Sequence, residues 1–146
     1  MFQPLSFQVW LATAIVLGAN LILLAGAAAA PRNAANEVVN PEDRALNAQA
    51  EVVYEGGNDR TARLRRAHRN ALENVPLFLV TGLGLCATNA PFALVAGLFG
   101  VFTAARLAHS VAYLRSMQPW RTASFAVGAL DQLALLGCLA YYGFAA

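Results

Sequence analysis

Residues 5–30, LSFQVWLATAIVLGANLILLAGAAAA, form an uninterrupted run without a single charged side chain. A bilayer core about 30 Å thick needs about 20 apolar residues in a helix, so this run is long enough to cross it. The alanines at its end resemble a signal-peptide cleavage region, but the run is too long for an ordinary signal core and no basic residue precedes it. The run therefore predicts a spanning helix that is retained in the protein.

Three further stretches predict membrane-spanning helices: residues 61–88, 91–116 and 122–144. The first half of residues 61–88 is charged, and its apolar part covers residues 72–87. The sequence Asn89-Ala90-Pro91 predicts a tight turn with Pro91 at a first helical position, Gln118-Pro119 predicts the next break, and Pro31 marks the end of the first helix. Charged residues make up 12% of the chain, against about 25% in soluble domains. We therefore predict an all-α membrane protein, a four-transmembrane-helix bundle that forms one domain over residues 1–146.

The basic residues predict the orientation of this bundle. All ten are arginines, and nine of them lie at two of the predicted membrane boundaries. Four spans place both regions on the same side, which the positive-inside rule makes cytoplasmic, with both termini on the opposite side. The nine residues are Arg32, Arg44, Arg60, Arg63, Arg65, Arg66 and Arg69 around the first connection, and Arg115 and Arg121 around the last.

An arginine-rich segment opens the second predicted helix. Arg66, Asn70 and Glu73 follow the spacing that aligns side chains on one helical face, and Arg69 borders that face. This set suits a small zwitterionic ligand, because guanidinium forks bind carboxylates and Glu73 can bind an ammonium group. A basic collar against anionic lipid headgroups is the alternative, although it does not account for Glu73 at the start of an apolar run. The spacing alone leaves both interpretations open.

The third predicted helix carries polar side chains at membrane depth. Arg106, His109 and Tyr113 share one face, and Arg106 lies about 15 Å from the boundary at Ser116, near the middle of the bilayer. A central arginine costs about 2.5–3.5 kcal/mol to insert, so it should face the protein interior and be paired. A functional role and a structural ion pair both remain open for Arg106.

The remaining polar residues of the apolar runs have simpler interpretations. Asn20 and Asp131 can form hydrogen bonds between helices, and Cys86 and Cys138 serve as small apolar side chains. No His or Cys cluster has the spacing of metal ligands, so no metal site is predicted. The chain also offers no obvious protein nucleophile, and an enzyme built from these residues would take its nucleophile from a cofactor.

Four groups of residues, in order over residues 40–128, make the sequence similar to the MAPEG family, the membrane-associated proteins in eicosanoid and glutathione metabolism. The similarity is greater to its glutathione transferase and prostaglandin E synthase branch than to its leukotriene synthase branch. The groups are Asn40-Pro41-Glu42-Asp43; Arg66-Ala67-His68-Arg69-Asn70 with Glu73-Asn74; Ala105-Arg106 with His109 and Tyr113-Leu114; and Gln118-Pro119 with Arg121 and Ser124-Phe125.

The resemblance implies a homotrimer of four-helix protomers, with three glutathione sites between neighbouring subunits. Arg121 matches the arginine that stabilises the thiolate, and Thr122 follows where the family can use a hydroxyl, so both are expected to be catalytic. The positions expected to bind glutathione are Arg32, Arg69, Asn70, Glu73, His109, Tyr113 and Arg121.

Arg106 matches a family arginine inside the bundle, and we expect it to pair with a carboxylate. Glu73 is one candidate, because the implied glutathione site brings the second and third helices together, and Asp131 is the other, from its matching depth. Asp131 and the loop over residues 44–60 match no motif of the family, which leaves the electrophilic substrate open.

The function that follows from the resemblance is a membrane-bound glutathione transferase, with glutathione peroxidase or isomerase activity as a further expectation. Its partners would be glutathione from the cytoplasm, an apolar electrophile or lipid hydroperoxide from the bilayer, membrane lipids and two further copies of the chain, and no nucleic acid. One alternative is a non-catalytic family member that binds a lipid or a partner helix. Without the resemblance, a small arginine-lined scaffold or transporter subunit would also fit.

Overall fold

The computed structural model describes residues 3–54 and 57–144, and most of them are helical. Four long helices form a bundle, and the segment between the first and second of them contains a short helix, two short strands and a 3₁₀ helix. In chain order the elements are α1 (Pro4–Ala27), α2 (Ala29–Ala34), β1 (Glu37–Val38), a 3₁₀ helix (Pro41–Ala45), β2 (Glu51–Val52), α3 (Asp59–Cys86), α4 (Phe92–Leu114) and α5 (Gln118–Phe144).

Hydrogen bonds at both ends hold α3 antiparallel to α1. At the start of α1, the backbone amide of Gln3 donates to the carbonyl oxygen of Cys86 at 3.1 Å. At the other end, the Asn58 side chain donates to the Pro31 carbonyl at 3.1 Å. Asn58 also begins α3, because its Oδ1 accepts a hydrogen bond from the amide of Thr61 and satisfies one of the free donors of the first turn.

Aromatic side chains fill the centre of the bundle. The rings of Phe78 on α3 and Phe102 on α4 stack at 3.7 Å between centroids, and Phe99 lies edge-on to Phe78 at 5.5 Å. Leu17 from α1 and Leu135 from α5 complete this buried cluster, so all four long helices contribute to one core. Burial of this apolar surface in a single cluster fixes how the four helices face one another.

Much of the outer surface is as apolar as the core. Ile15 and Ile22 on α1 are 70% and 74% exposed, and Leu130 on α5 is 67% exposed. Among the described residues, three helical stretches are long and apolar enough to cross a membrane: Pro4–Ala34, Phe92–Leu114 and Gln118–Phe144. Exposed apolar side chains on such helices are typical of a lipid-facing surface, which agrees with the predicted membrane class. α3 is not among the three, since its first half carries the arginine-rich segment.

The structure corrects three helix boundaries that the prolines predicted. α5 begins at Gln118 rather than residue 122, and Pro119 lies in its first turn. Pro31 lies inside α2 and does not end a helix, while Pro91 precedes α4 as its N-cap. A proline fits the first turn of a helix because the amides there have no intrahelical acceptor, so it starts α5 rather than separating it from α4.

Candidate functional site

Three of the predicted glutathione residues converge where α4 ends and α5 begins. The His109 ring donates from Nδ1 to the carbonyl oxygen of Arg121 at 3.0 Å. The Arg121 guanidinium lies over the ring of Tyr113, 4.9 Å from its centroid, and the His109 and Tyr113 rings meet edge-on at 5.6 Å. His109 and Tyr113 are four residues apart on α4 and therefore present one face to α5.

The Arg121 guanidinium in this cluster is open to an anionic ligand. Its side chain is half-buried, and among residues 3–54 and 57–144 it forms no ion pair with a carboxylate. The neighbouring Thr122 is exposed, and its hydroxyl oxygen accepts a hydrogen bond from the Gln118 side chain at 3.4 Å. A partly desolvated cation that rests on an aromatic face is suited to hold an anion, because no internal carboxylate neutralises it.

Two other predicted residues, Arg69 and Glu73, lie on the outer face of α3. Both are exposed, whereas Ala67, Ala71 and Val75 of the same helix are buried in the bundle. Arg69 lines an open groove of about 540 Å³ together with Tyr54, Arg65, Arg66 and His68. The outer face therefore presents a strongly basic surface to whatever lies beside the protomer.

Asn70 and Arg32 occupy intermediate positions. Asn70 is half-buried on the flank of α3, and its Oδ1 is buried without a hydrogen-bond partner among the described residues. Arg32 lies on α2 and lines a polar pocket of about 400 Å³ that also contains Glu37 and Asp43. The single protomer thus brings together His109, Tyr113 and Arg121, and leaves the predicted residues of α2 and α3 on other surfaces.

The structure corrects the expected ion pair of Arg106. The Arg106 side chain is only 2% exposed, as the sequence predicted, but within the described part of this protomer it pairs with neither Glu73 nor Asp131. Its Nη2 donates to the Phe125 carbonyl at 3.3 Å, and its Nε and Nη1 are buried with no hydrogen-bond partner among the described residues.

The physical reasons differ for the two carboxylates. Glu73 lies on the face of α3 that points away from the bundle. Asp131 is buried at 8% exposure on α5, and its Oδ2 has no hydrogen-bond partner within residues 3–54 and 57–144. It lies three residues beyond Gly128, against which the Arg106 guanidinium lies, or about 4.5 Å further along the helix. Arg106 precedes Ser116 by ten residues and Asp131 follows Arg121 by ten residues. Because α5 begins at Gln118 rather than residue 122, these equal counts did not place the two side chains at equal depth.

Aromatic rings and a glycine surround Arg106 in place of a carboxylate. Its guanidinium carbon lies 5.1 Å from the centroid of Phe102 and 5.5 Å from that of Phe125. A β-carbon at Gly128 would lie 2.2 Å from Nη2 of Arg106, so the guanidinium rests directly on the glycine backbone. No motif in the sequence marks Gly128 as a contact of Arg106, apart from its position three residues before the polar Asp131.

The chain is similar to a known protein family over most of its length. The model of the MAPEG family matches residues 9–141 of the chain. The chain is 36% identical over 126 residues to microsomal glutathione S-transferase 1 of Homo sapiens, which covers 84% of this chain and 81% of the human protein. It is 33% identical over 118 residues to the protein of that name from Rattus norvegicus, covering 79% of this chain and 76% of the relative. The Bos taurus protein of that name is 42% identical over 93 residues, covering 61% and 59%.

Proposed function

The chain belongs to the MAPEG family, and on that premise we propose that it is a membrane-bound transferase that conjugates glutathione to apolar electrophiles. The observation that carries the proposal is the cluster of His109, Tyr113 and Arg121 at the junction of α4 and α5. The relatives' name supplies the substrate class, and the cluster supplies a cation suited to a thiolate.

Arg121 is proposed to stabilise the thiolate of bound glutathione. A free thiol has a pKa of about 8.5, so only a small fraction is ionised at neutral pH. A cation within hydrogen-bonding distance favours the anion, and one pKa unit corresponds to about 1.4 kcal/mol. Tyr113 beneath the guanidinium and His109 on the Arg121 carbonyl hold this residue in place.

The proposed reaction is a nucleophilic substitution. The glutathione thiol loses its proton to water, and the thiolate sulfur attacks the electrophilic carbon of the substrate. A carbon–sulfur bond forms, and the leaving group, such as chloride, departs with the electron pair of its bond. With a lipid hydroperoxide, attack on oxygen would lead to peroxidase chemistry, in which a second glutathione is consumed to give the disulfide, an alcohol and water.

The basic outer face of α3 is proposed to complete the site of a neighbouring protomer. In a homotrimer, Arg69 would bind a carboxylate of glutathione and Glu73 its ammonium group, while Asn70 and Arg32 would add polar contacts. Exposure supports this assignment, because Arg69 and Glu73 point away from their own bundle and are free to meet another chain. The thiolate end would then lie at Arg121 of one protomer, with the rest of the tripeptide held by the next.

We also propose that α3 crosses the membrane, which gives four spans with the arginine-rich ends in the cytoplasm. α3 has 28 residues, or about 42 Å of helix. Its two ends are hydrogen-bonded to the two ends of the α1–α2 segment. A helix that accompanies a spanning helix along its length crosses the same layer, and a neighbouring subunit would shield its charged face from lipid.

Activity of the purified protein tests the proposal. Conjugation of glutathione to a chlorodinitrobenzene and reduction of a lipid hydroperoxide would be measured for wild type, Arg121→Ala and Arg115→Ala. Arg115 is a matched control, because it is exposed at the end of α4 near the same boundary. Loss of turnover in Arg121→Ala alone supports the transferase. Glutathione binding without turnover in the wild type would favour a non-catalytic binding protein instead.

A further inference from the structure

A further pocket opens on the surface of the protomer. It has a volume of about 450 Å³ and lies between α2, the start of α3 and the end of α4. Its walls are mostly apolar, with Ala27, Ala30 and Pro31 on one side and Leu64 and Leu114 on the other. This cavity is separate from the cluster of His109, Tyr113 and Arg121 and from the basic groove on the outer face of α3.

Two arginines add positive charge to this apolar cavity. Arg60 and Arg63 line it, no acidic residue does, and neither arginine forms an ion pair among the described residues. Arg63 donates one hydrogen bond to the Ser116 hydroxyl. Because a guanidinium carries five N–H donors, both side chains keep donors for a ligand. The cavity therefore combines anion-binding donors with a wall that favours hydrocarbon.

The length of the helix beside it argues that the pocket lies at the depth of lipid headgroups. The apolar stretch Pro4–Ala34 has 31 residues, or about 46 Å of helix, whereas the hydrocarbon core is about 30 Å thick. Its last turns, which hold Ala27, Ala30 and Pro31, therefore extend into the headgroup layer. Leu114 is the last residue of α4 and is followed by Arg115, which places the opposite wall at the same boundary.

We propose that this cavity binds the headgroup of an anionic phospholipid. The phosphate would contact Arg60 and Arg63, and the glycerol and first methylene groups would lie against the alanines of the α1–α2 segment. The apolar walls favour a lipid over a free anion in water, because contact with hydrocarbon removes their surface from water. A general basic collar differs from this site, since a collar attracts anionic lipids with any surface arginine.

Thermal unfolding of the detergent-solubilised, glutathione-free protein tests the site. Phosphatidylglycerol, phosphatidylcholine and inorganic phosphate would each be titrated. The double variant Arg60→Gln/Arg63→Gln would be compared with Arg44→Gln/Arg115→Gln, which removes the same charge from surfaces outside the cavity. A third variant, Ala30→Phe, would fill the cavity without a change of charge, and the exposed position of Ala30 leaves room for the fold to form.

We expect phosphatidylglycerol to raise the unfolding temperature of the wild type more than phosphatidylcholine does. Its apparent affinity should fall about fivefold for each arginine removed from the cavity. Ala30→Phe should weaken binding as well, and the control pair should bind as the wild type does. If the two double variants lose the same affinity for phosphatidylglycerol, the proposed site is wrong and the arginines act as a general basic collar. If inorganic phosphate raises the unfolding temperature as much as phosphatidylglycerol does, the arginines bind a soluble anion rather than a lipid. If Ala30→Phe binds phosphatidylglycerol as the wild type does, the lipid does not occupy this cavity.

Discussion

The contact between Gly128 and Arg106 gives a sharp test of the packing between α4 and α5. A β-carbon at position 128 would lie 2.2 Å from Nη2, 2.8 Å from Nε and 2.9 Å from Cζ of Arg106. The guanidinium would have to move, yet it lies against the rings of Phe102 and Phe125 and donates to the Phe125 carbonyl. Gly128→Ala should therefore destabilise the protein, although it adds a single methyl group.

The magnitude follows from three contributions. Insertion of a methyl group into a packed interior costs about 1–3 kcal/mol. Displacement of the guanidinium also weakens its hydrogen bond to the Phe125 carbonyl, and a hydrogen bond from a charged donor contributes about 1.5–3 kcal/mol. Alanine is favoured over glycine in a helix by about 0.5–1 kcal/mol, which offsets part of the loss. We expect a net destabilisation of about 1–3 kcal/mol, because part of the strain can be relieved by small shifts of the Arg106 side chain.

Unfolding of the detergent-solubilised protein measures this difference against a control on the same helix. A β-carbon at Gly137 would meet no atom within 4 Å, so Gly137→Ala should be neutral or slightly stabilising. In an Arg106→Ala background the clash disappears, and Gly128→Ala should then cost little more. Equal stability of the two glycine variants, or strict additivity with Arg106→Ala, would refute the proposed contact.

Four further outcomes are expected. Arg121→Ala should lose turnover more than glutathione affinity and should raise the pKa of the bound thiol. Arg121→Lys should also be impaired, because a point ammonium places hydrogen bonds differently from a guanidinium. Absorbance of the bound thiolate across pH checks both variants, and wild-type behaviour of both would remove Arg121 from the mechanism. Glu73→Ala should weaken glutathione binding about tenfold, and calorimetry that shows unchanged affinity would remove it from the site. Trp10→Phe should cost about 0.5–1.5 kcal/mol of stability, since its indole N–H donates to a carbonyl of α3 at 2.9 Å, whereas the exposed Trp120 should tolerate the same change in the same unfolding assay. A topology reporter fused after Ala146 should lie outside the cytoplasm, and a cytoplasmic signal would contradict four spans.

The family and the membrane class could be read from the sequence because both depend on local patterns. Each apolar run predicts a helix by its own length and composition, with no knowledge of its neighbours. The family model over residues 9–141 confirms the resemblance that the residue groups from Asn40 to Phe125 predicted. The four long helices overlap the four ranges given from the sequence, although α5 begins at Gln118 rather than residue 122 and Pro31 lies inside α2.

The contacts between helices could not be predicted from the sequence. Arg106 was correctly predicted to be buried, but its environment depends on the register of α4 against α5. That register is seen in the contacts of His109 with the Arg121 carbonyl and of Arg106 with Phe125 and Gly128. A shift of one helical turn, about 5.4 Å, replaces one set of neighbours by another without changing the hydropathy of either helix.

Hydropathy and charge therefore determined which segments of this chain form long apolar helices and which helix ends carry the arginines. Only the tertiary structure decided that Arg106 lies on Gly128 and beside two phenylalanines, that Glu73 faces outward, and that Arg121 rests on Tyr113. The physical reason is the range of each interaction. Transfer into a bilayer is close to a sum over single residues. A side-chain contact depends on atoms that residues distant in the sequence bring within a few ångströms of one another.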